Sequence, residues 1–171
     1  MPKLPASLAL TAVAIGACTT AGAAEFYVGE PVVKNGLQIV PNYLLGIEMA
    51  GKVPGMSMDP DAVHLEADVH ATKDEAHNLP EDTWIPYLTI KYRLHKSGSK
   101  FTATGTLQPM IARDGLHYAN GVKMDGPGEY HLSYSISQPA IYRHVDSATG
   151  VKAWWQPFTV EWDFKYPSRN K

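Results

Sequence analysis

One stretch near the end of the chain decides the fold class: Phe158-Thr-Val-Glu-Trp-Asp-Phe-Lys-Tyr166. Aromatic and aliphatic side chains occupy every second position, and polar side chains occupy the positions between them. This alternation is typical of an antiparallel strand with one buried face and one solvated face. The same kind of pattern predicts further strands over residues 37–45, 63–71, 84–94, 101–107 and 130–136.

Turn signals separate these strands, and the chain shows no amphipathic helix longer than two turns, no internal repeat and no low-complexity linker. Roughly seven short strands at such spacings predict an all-β fold, namely an immunoglobulin-like antiparallel β-sandwich in a single domain. The turn signals are Lys34-Asn-Gly36, Lys96-Ser-Gly-Ser99, Asp125-Gly-Pro-Gly128 and Ser147-Ala-Thr-Gly150.

The first two dozen residues differ from the rest of the chain. Lys3 gives a positive start, residues 8–17 are apolar, and small residues follow at 21–24. Because the apolar run is too short to span a bilayer, residues 1–24 are predicted to be a cleaved secretory signal peptide. The alternatives are a lipoprotein-type cleavage at Cys18 and a buried core helix. The mature chain, residues 25–171, is then predicted to be a soluble periplasmic domain.

Cysteine content and charge exclude several classes of protein. Cys18 is the only cysteine, so a mature chain that begins after it has no disulfide, no cysteine zinc finger, no iron–sulfur cluster and no blue-copper thiolate. The formal net charge of the whole chain is −2, and loss of Lys3 without any acidic residue leaves −3. Nucleic-acid binding is not expected, because it requires a basic face.

Three separated segments carry side chains that bind transition metals. In the first, residues 63–71, apolar residues take one face of a strand, and same-face neighbours on the other lie about 6.5–7 Å apart. His64 and Glu66 can therefore flank one ion, whereas His70 is too far along the strand to share it. A solvated polar face on an ordinary surface strand is the competing interpretation of this segment.

The second segment places Met110, Asp114 and His117 within eight residues around a glycine turn, and the third contributes His144. Soft sulfur together with imidazole suits copper and other late first-row metals rather than calcium or magnesium. The three segments together suggest a site of three imidazoles and one thioether with a carboxylate beside it. Taken singly, Met110 could equally fill a core, and the two histidines could be ordinary loop residues.

Five strings of the mature chain carry a family resemblance: HLEADVHA (64–71), WIPYLTI (84–90), PMIARDGLHYAN (109–120), RHVDSATGV (143–151) and WWQPF (154–158). In this order they resemble the periplasmic Fe(II) transport protein family, and the likeness extends from about Glu25 to Tyr166. The resemblance implies an immunoglobulin-like sandwich that pairs into a homodimer. It also implies partners: an inner-membrane high-affinity iron permease and its associated uptake components.

Carried over residue by residue, the resemblance also implies a ligand set. Glu66 matches a carboxylate that joins the primary ligands or holds a second ion nearby, and Asp114 matches an acidic residue close to the site. The chain agrees with the family at all these positions. The implied primary ligands are His64, Met110, His117 and His144. No role is assigned to Glu48, Met49, Met56, Met58 or Met124.

The function implied by the resemblance is that of a carrier, not an enzyme, which captures Fe2+ in the periplasm and delivers it to the permease. Imidazoles bind ferrous iron, and a neutral thioether adds soft donation without the negative charge that favours Fe3+. Copper should bind the same site more tightly, and manganese and zinc are further candidates. The alternatives are a periplasmic copper-handling protein, a metal-dependent hydrolase with Glu66 as its base, and a structural adhesin-type sandwich.

Overall fold

The computed structural model describes residues 24–168, and these form nine β-strands and no helix, so none of them forms a membrane-spanning helix. Every paired strand is antiparallel, which confirms the predicted all-β antiparallel class. The predicted signal peptide lies outside the described residues except for Ala24. The strands are β1 (Glu25–Tyr27), β2 (Val32–Lys34), β3 (Leu37–Leu44), β4 (Ala62–Ala71), β5 (Thr89–Lys96), β6 (Thr102–Ala112), β7 (Gly115–Lys123), β8 (Gly128–Ser137) and β9 (Phe158–Tyr166).

The strands join into one curled sheet rather than two separate sheets. Their order is β1-β3-β4-β7-β6-β5-β8-β9, with β2 paired to β3. The long strand β6 makes this continuity, because residues 102–107 pair with β5 and residues 108–112 pair with β7. The immunoglobulin-like sandwich predicted from the sequence is therefore not confirmed, since strand spacing alone does not reveal that one strand is shared by both halves.

The two halves of the curled sheet face each other across an aromatic core. The rings of Tyr43 in β3 and Phe164 in β9 have centroids 6.4 Å apart. The hydroxyl of Tyr134 in β8 donates a hydrogen bond of 2.8 Å to the backbone carbonyl of Glu66 in β4. Burial of these large rings supplies the main driving force for closing the sheet on itself.

The strand predictions succeed where the alternation is strict and fail where a local backbone feature interrupts it. Strand β9 has the predicted bounds, and its inward residues Val160, Trp162 and Phe164 are buried. The strand predicted over residues 84–94 instead begins at residue 89. Pro86 has no backbone N–H to donate to a ladder, and Tyr87 has a φ of 60° that does not fit a strand.

Strand β4 is buried on both of its faces over residues 63–67. Its apolar residues face the core, as the alternation predicts, but His64 and Glu66 on the other face are only 5% and 6% exposed. This face is enclosed because β3 and β7 flank β4, and because the segment between β3 and β4 lines the space in front of His64. The solvated-surface interpretation of these two residues is therefore wrong.

Candidate metal centre

The register of β4, β7 and β6 brings the candidate ligands onto one face of the sheet. Residues directly opposite each other in an antiparallel pair share a face. Met110 pairs with His117 between β6 and β7, while Glu66 pairs with Ala119 between β4 and β7. Since side chains alternate along each strand, His117 and Ala119 lie on the same side, together with Glu66 and Met110.

His64, Glu66 and His117 form a compact buried cluster. Each offers a ligand atom, and these three atoms lie within 4.8 Å of one another. His117 Nε2 is 3.0 Å from Glu66 Oε1. The rings of His64 and His117 meet edge to face, with centroids 5.8 Å apart. The three side chains are therefore close enough for one ion to contact all of them after small side-chain movements.

The protonation of His64 favours its use as a ligand. Burial, aided by the neighbouring charge of His117, lowers the pKa of His64 from 6.5 to about 4. The imidazole is therefore neutral near pH 7, as a metal requires. Its Nδ1 is buried and has no hydrogen-bond partner among residues 24–168. A buried polar atom without a partner lowers the stability of the fold, so this nitrogen is suited to binding a further partner such as a metal ion.

Glu66 and His117 hold a proton between them. Burial raises the pKa of Glu66 and outweighs the opposing hydrogen bond from His117. Burial would lower the pKa of His117, but the hydrogen bond and charge of Glu66, with the charges of Asp68 and Asp114, raise it. A metal cation that binds here displaces this proton, so metal affinity is coupled to pH.

Met110 and Asp114 border the same cavity as the cluster. This cavity has a volume of about 440 Å³ and is lined by His64, Glu66, Met110, Asp114 and His117, among others. Met110 is 9% exposed and faces the histidine opposite it on β7. Asp114 lies at the exposed turn between β6 and β7, where its carboxylate adds negative charge at the mouth.

A single chain does not bring His144 to the other predicted ligands. His144 lies in the segment between β8 and β9, its side chain is 75% exposed, and Nδ1 is 2.7 Å from Thr149 Oγ1. The predicted convergence of all four primary ligands around one point is therefore not seen for His144, whose role as a ligand stays a prediction. The reason is topological, because residues 140–150 form no strand and are all exposed rather than folded over the cluster.

Two further residues line the cluster cavity, although the sequence analysis assigned them no role. Glu48 and Met49 line the space in front of His64, in the segment that joins β3 to β4. This segment has no strand or helix, so no periodic pattern could indicate which of its side chains face the cluster. The only available signal was compositional, namely a carboxylate and a thioether near other metal-binding residue types.

The chemistry of the donors fits a transition metal. Two imidazoles and a thioether are borderline to soft donors, and a carboxylate adds one hard, anionic oxygen. Such a mixture does not resemble the all-oxygen shell that calcium or magnesium requires. Burial of the four side chains removes competing water, and the cavity leaves space for an ion to enter.

This chain is similar to known proteins over most of its length. A UPF0423 protein of Brucella abortus is 38% identical over 174 residues, covering 98% of this chain and 92% of the relative. The copper-reconstituted P19 protein of Campylobacter jejuni is 39% identical, with a TM-score of 0.79 over 86% of this chain and 99% of that one. FetP of uropathogenic Escherichia coli strain F11, recombinantly expressed in the periplasm, is 41% identical, with a TM-score of 0.78 over 85% of this chain and 98% of that one.

The family model described as Fe2+ transport protein matches residues 22–168, which is most of the chain and includes every candidate ligand. The matched region also contains all nine strands and the cavity in front of the cluster. This chain belongs to the Fe2+ transport protein family.

Proposed function

We propose that this protein captures Fe2+ in the periplasm and delivers it to a high-affinity iron permease in the inner membrane. The observation that carries the proposal is the buried cluster of His64, Glu66 and His117, whose ligand atoms lie within 4.8 Å of one another beside Met110. A carrier needs ligands that bind its cargo but do not hold it irreversibly. Neutral imidazole and thioether donors with a single carboxylate meet that need for a divalent ion.

We expect copper to bind the same ligands, because a site of nitrogen and sulfur donors binds Cu2+ more tightly than Fe2+. The copper-reconstituted structure of the C. jejuni relative supports this expectation. Manganese and zinc are weaker candidates for the site. Metal availability in the periplasm, rather than intrinsic affinity, would then decide which ion the protein carries.

Titration under anaerobic conditions tests the central site. Fe2+, Mn2+ and Cu2+ are added separately to metal-free protein in a calorimeter, and each should bind. His117→Ala should lose affinity for all three ions. His131→Ala is the matched control, because His131 is a half-exposed histidine that pairs with Asp163 on β9. Equal affinities in the two variants would contradict the proposal.

We further propose a homodimer in which His144 of one copy completes the cluster of the other. The loop that carries His144 and the hairpin beside the cluster both expose large apolar side chains, and a second copy covering them would remove this surface from water. The exposed residues are Ile141, Tyr142 and Val145 on the loop, and Ile111 and Leu116 on the hairpin.

Light scattering tests the dimer. Tyr142→Asp should produce a monomer, and in that monomer the additional change His144→Ala should have no further effect on metal affinity. Val33→Asp is the matched control, because Val33 is an exposed apolar residue on the edge strand β2. A metal-loaded wild-type protein that scatters as a monomer would contradict the proposal.

The proposed location is the periplasm, reached by cleavage of residues 1–24. The relative FetP was isolated after recombinant expression in the periplasm of E. coli, which supports this location. Mass spectrometry of a periplasmic extract should give a mature N-terminus near Ala24 or Glu25. A chain that retains Cys18 with a lipid attached would instead be membrane-anchored.

A periplasmic copper-handling role is the second candidate, and the thioether of Met110 is the observation that favours it, since sulfur binds copper more strongly than it binds iron or manganese. The same ligands serve both roles, so binding data cannot separate them. A strain that lacks the protein should grow poorly when iron is limiting if iron is the cargo. It should instead be sensitive to added copper if copper handling is the role.

A further inference from the structure

A second cavity lies beside the metal cluster and contains an unusual concentration of sulfur. Three of the six methionines in the chain, Met49, Met56 and Met58, occur within ten residues of the segment between β3 and β4. All three line one cavity of about 520 Å³. His64 lines both this cavity and the cluster cavity, as do residues 46–49, so the two cavities are neighbours.

The backbone holds this segment against β7 at the level of His64. The amide of Ser57 donates a hydrogen bond of 3.1 Å to the carbonyl of Gly121, which pairs with His64 across β4 and β7. A Cβ atom at Gly121 would lie 2.9 Å from Met56 Cγ and 2.2 Å from the Ser57 carbonyl oxygen. The glycine therefore creates the space in which Met56 lies beside His64.

A second anchor fixes the end of the segment. Lys123 Nζ lies 2.6 Å from Asp59 Oδ2, and the other oxygen of Asp59 accepts a hydrogen bond from the amide of Asp61. The segment is thus tied to two alternate residues of β7. The methionines therefore lie on a loop that two contacts fix to β7, although the loop contains no strand or helix.

These methionines do not serve as core filler, which is the usual role of the residue. Met124 packs against the hydrophobic core, whereas Met49, Met56 and Met58 are absent from the described core cluster. Met58 is 56% exposed, and the cavity wall also contains the carboxylates of Glu48 and Asp59. Apolar burial therefore does not account for three flexible thioethers at this place.

We propose that Met49, Met56 and Met58 form a second metal site, which binds a soft monovalent cation of the Cu(I) class. Neutral thioethers bind Cu(I) and Ag(I) well and bind Fe2+, Mn2+ or Zn2+ poorly. The proposed site uses other side chains than the cluster, although Met49 lines both cavities, and it selects a different class of ion. It therefore goes beyond the proposed function and does not depend on which divalent ion the cluster carries.

The first test uses Ag(I), which is diamagnetic and does not change oxidation state here. Protein labelled with 13C at the methionine methyl groups is titrated with Ag(I) and, separately, with Zn2+. Ag(I) should shift the methyl resonances of Met49, Met56 and Met58, while Zn2+ should leave them in place. The resonance of Met124 is the internal control. Shifts confined to Met110 would overturn the proposal, because they would place the ion in the cluster alone.

The second test counts ions. The triple variant Met49→Leu, Met56→Leu, Met58→Leu should bind one equivalent of Ag(I) fewer per chain than the wild type. Leucine preserves side-chain volume and apolar character, so the fold should survive. Met124→Leu is the matched control and should retain the full stoichiometry. Unchanged stoichiometry and affinity in the triple variant would overturn the proposal.

The double variant Met56→Leu, Met58→Leu separates this proposal from the proposed function, because it leaves Met49, which also lines the cluster cavity, unchanged. Its affinity for Fe2+ and Mn2+ at the cluster should stay within a few fold of the wild-type values, because His64, Glu66, Met110 and His117 are unchanged. If the wild-type protein binds no divalent ion, the proposed function fails, but the Ag(I) measurements still decide the methionine site.

Discussion

His117 Nε2 lies 3.0 Å from Glu66 Oε1 in the buried space between β7 and β4. Their side chains are only 6% and 9% exposed, so a charge-assisted hydrogen bond of this kind is strong and poorly screened by water. The pair keeps the carboxylate and the imidazole in place before a metal arrives. Because this hydrogen bond contains a proton, a metal ion must displace that proton in order to bind both side chains.

The first prediction concerns this proton. The pKa of His117 is raised by Glu66, so the imidazole keeps its proton to higher pH than an ordinary histidine. Affinity for Fe2+ or Mn2+ should therefore rise with pH, and binding should release protons. Calorimetry in buffers of different ionisation enthalpy measures the number released. Affinity that is independent of pH between 6 and 8 would contradict the proposed role of the pair.

The second prediction concerns stability and His64. The folded-state pKa is lowered to about 4, while the unfolded chain titrates near 6.5. Between these values the unfolded state binds a proton that the folded state does not. The stability associated with neutral, buried His64 is therefore fully present above pH 6.5 and is lost as the pH falls towards 4. The difference between 6.5 and about 4 corresponds to roughly 3 kcal/mol.

Urea denaturation of metal-free protein at several pH values measures this effect. Other groups titrate in the same range, so the informative quantity is the comparison with His64→Gln. The free energy of unfolding should fall less steeply between pH 6.5 and 4 in this variant than in the wild type. Equal slopes would mean that His64 is not buried in its neutral form.

The third prediction concerns the identity of the ligands. Loss of an outer partner of a metal ligand typically costs roughly 10–100-fold in affinity, so His64→Ala and His117→Ala should each cost more than about 100-fold. Met110→Leu should weaken Cu(I) and Fe2+ binding more than Mn2+ binding, because sulfur contributes least to a hard ion. Competition titrations measure these affinities. An equal loss for all three ions would argue that Met110 acts through packing.

The fourth prediction separates the role of Glu66 from those of the other ligands. Glu66→Gln can still accept a hydrogen bond from His117, but it removes the negative charge that raises the pKa of that histidine. The variant should retain an ion at the histidine and methionine donors, should lose any second ion, and should release fewer protons on binding. Complete loss of metal binding would instead make Glu66 a primary ligand.

The fifth prediction concerns the contact that ties the cluster strand to the opposite half of the sheet. Tyr134→Phe removes the hydroxyl that donates to the carbonyl of Glu66, and should lower the free energy of unfolding by roughly 1–3 kcal/mol. Tyr87→Phe is the matched control, because Tyr87 is 65% exposed and is not among the residues that the proposed homodimer covers, so this change should alter stability by less than about 0.5 kcal/mol. Chemical denaturation measures both. Equal free energies of unfolding for Tyr134→Phe and the wild type would show that this hydrogen bond makes no net contribution to stability.

Strand β9 shows what can be predicted from sequence and why. Its bounds and its inward residues follow from a period of two, which is a local property of the backbone in any strand. The residue types of the metal cluster are also visible locally, as is the pairing of Met110 with His117 across a short turn. The predicted sandwich was not confirmed, because the pairing of β6 with both β5 and β7 joins the two halves into one sheet and cannot be seen in the alternation of any single strand.

The sequence by itself determined the alternating strands, the presence of a single cysteine at position 18 and the set of metal-binding side chains. Only the tertiary structure decided that His64 and Glu66 are buried, since their enclosure depends on β3, β7 and the segment before β4. It also decided that His144 stands apart from the cluster in a single chain. The physical reason is that side-chain alternation is set within a strand, whereas burial and convergence are set by which strands and loops pack together.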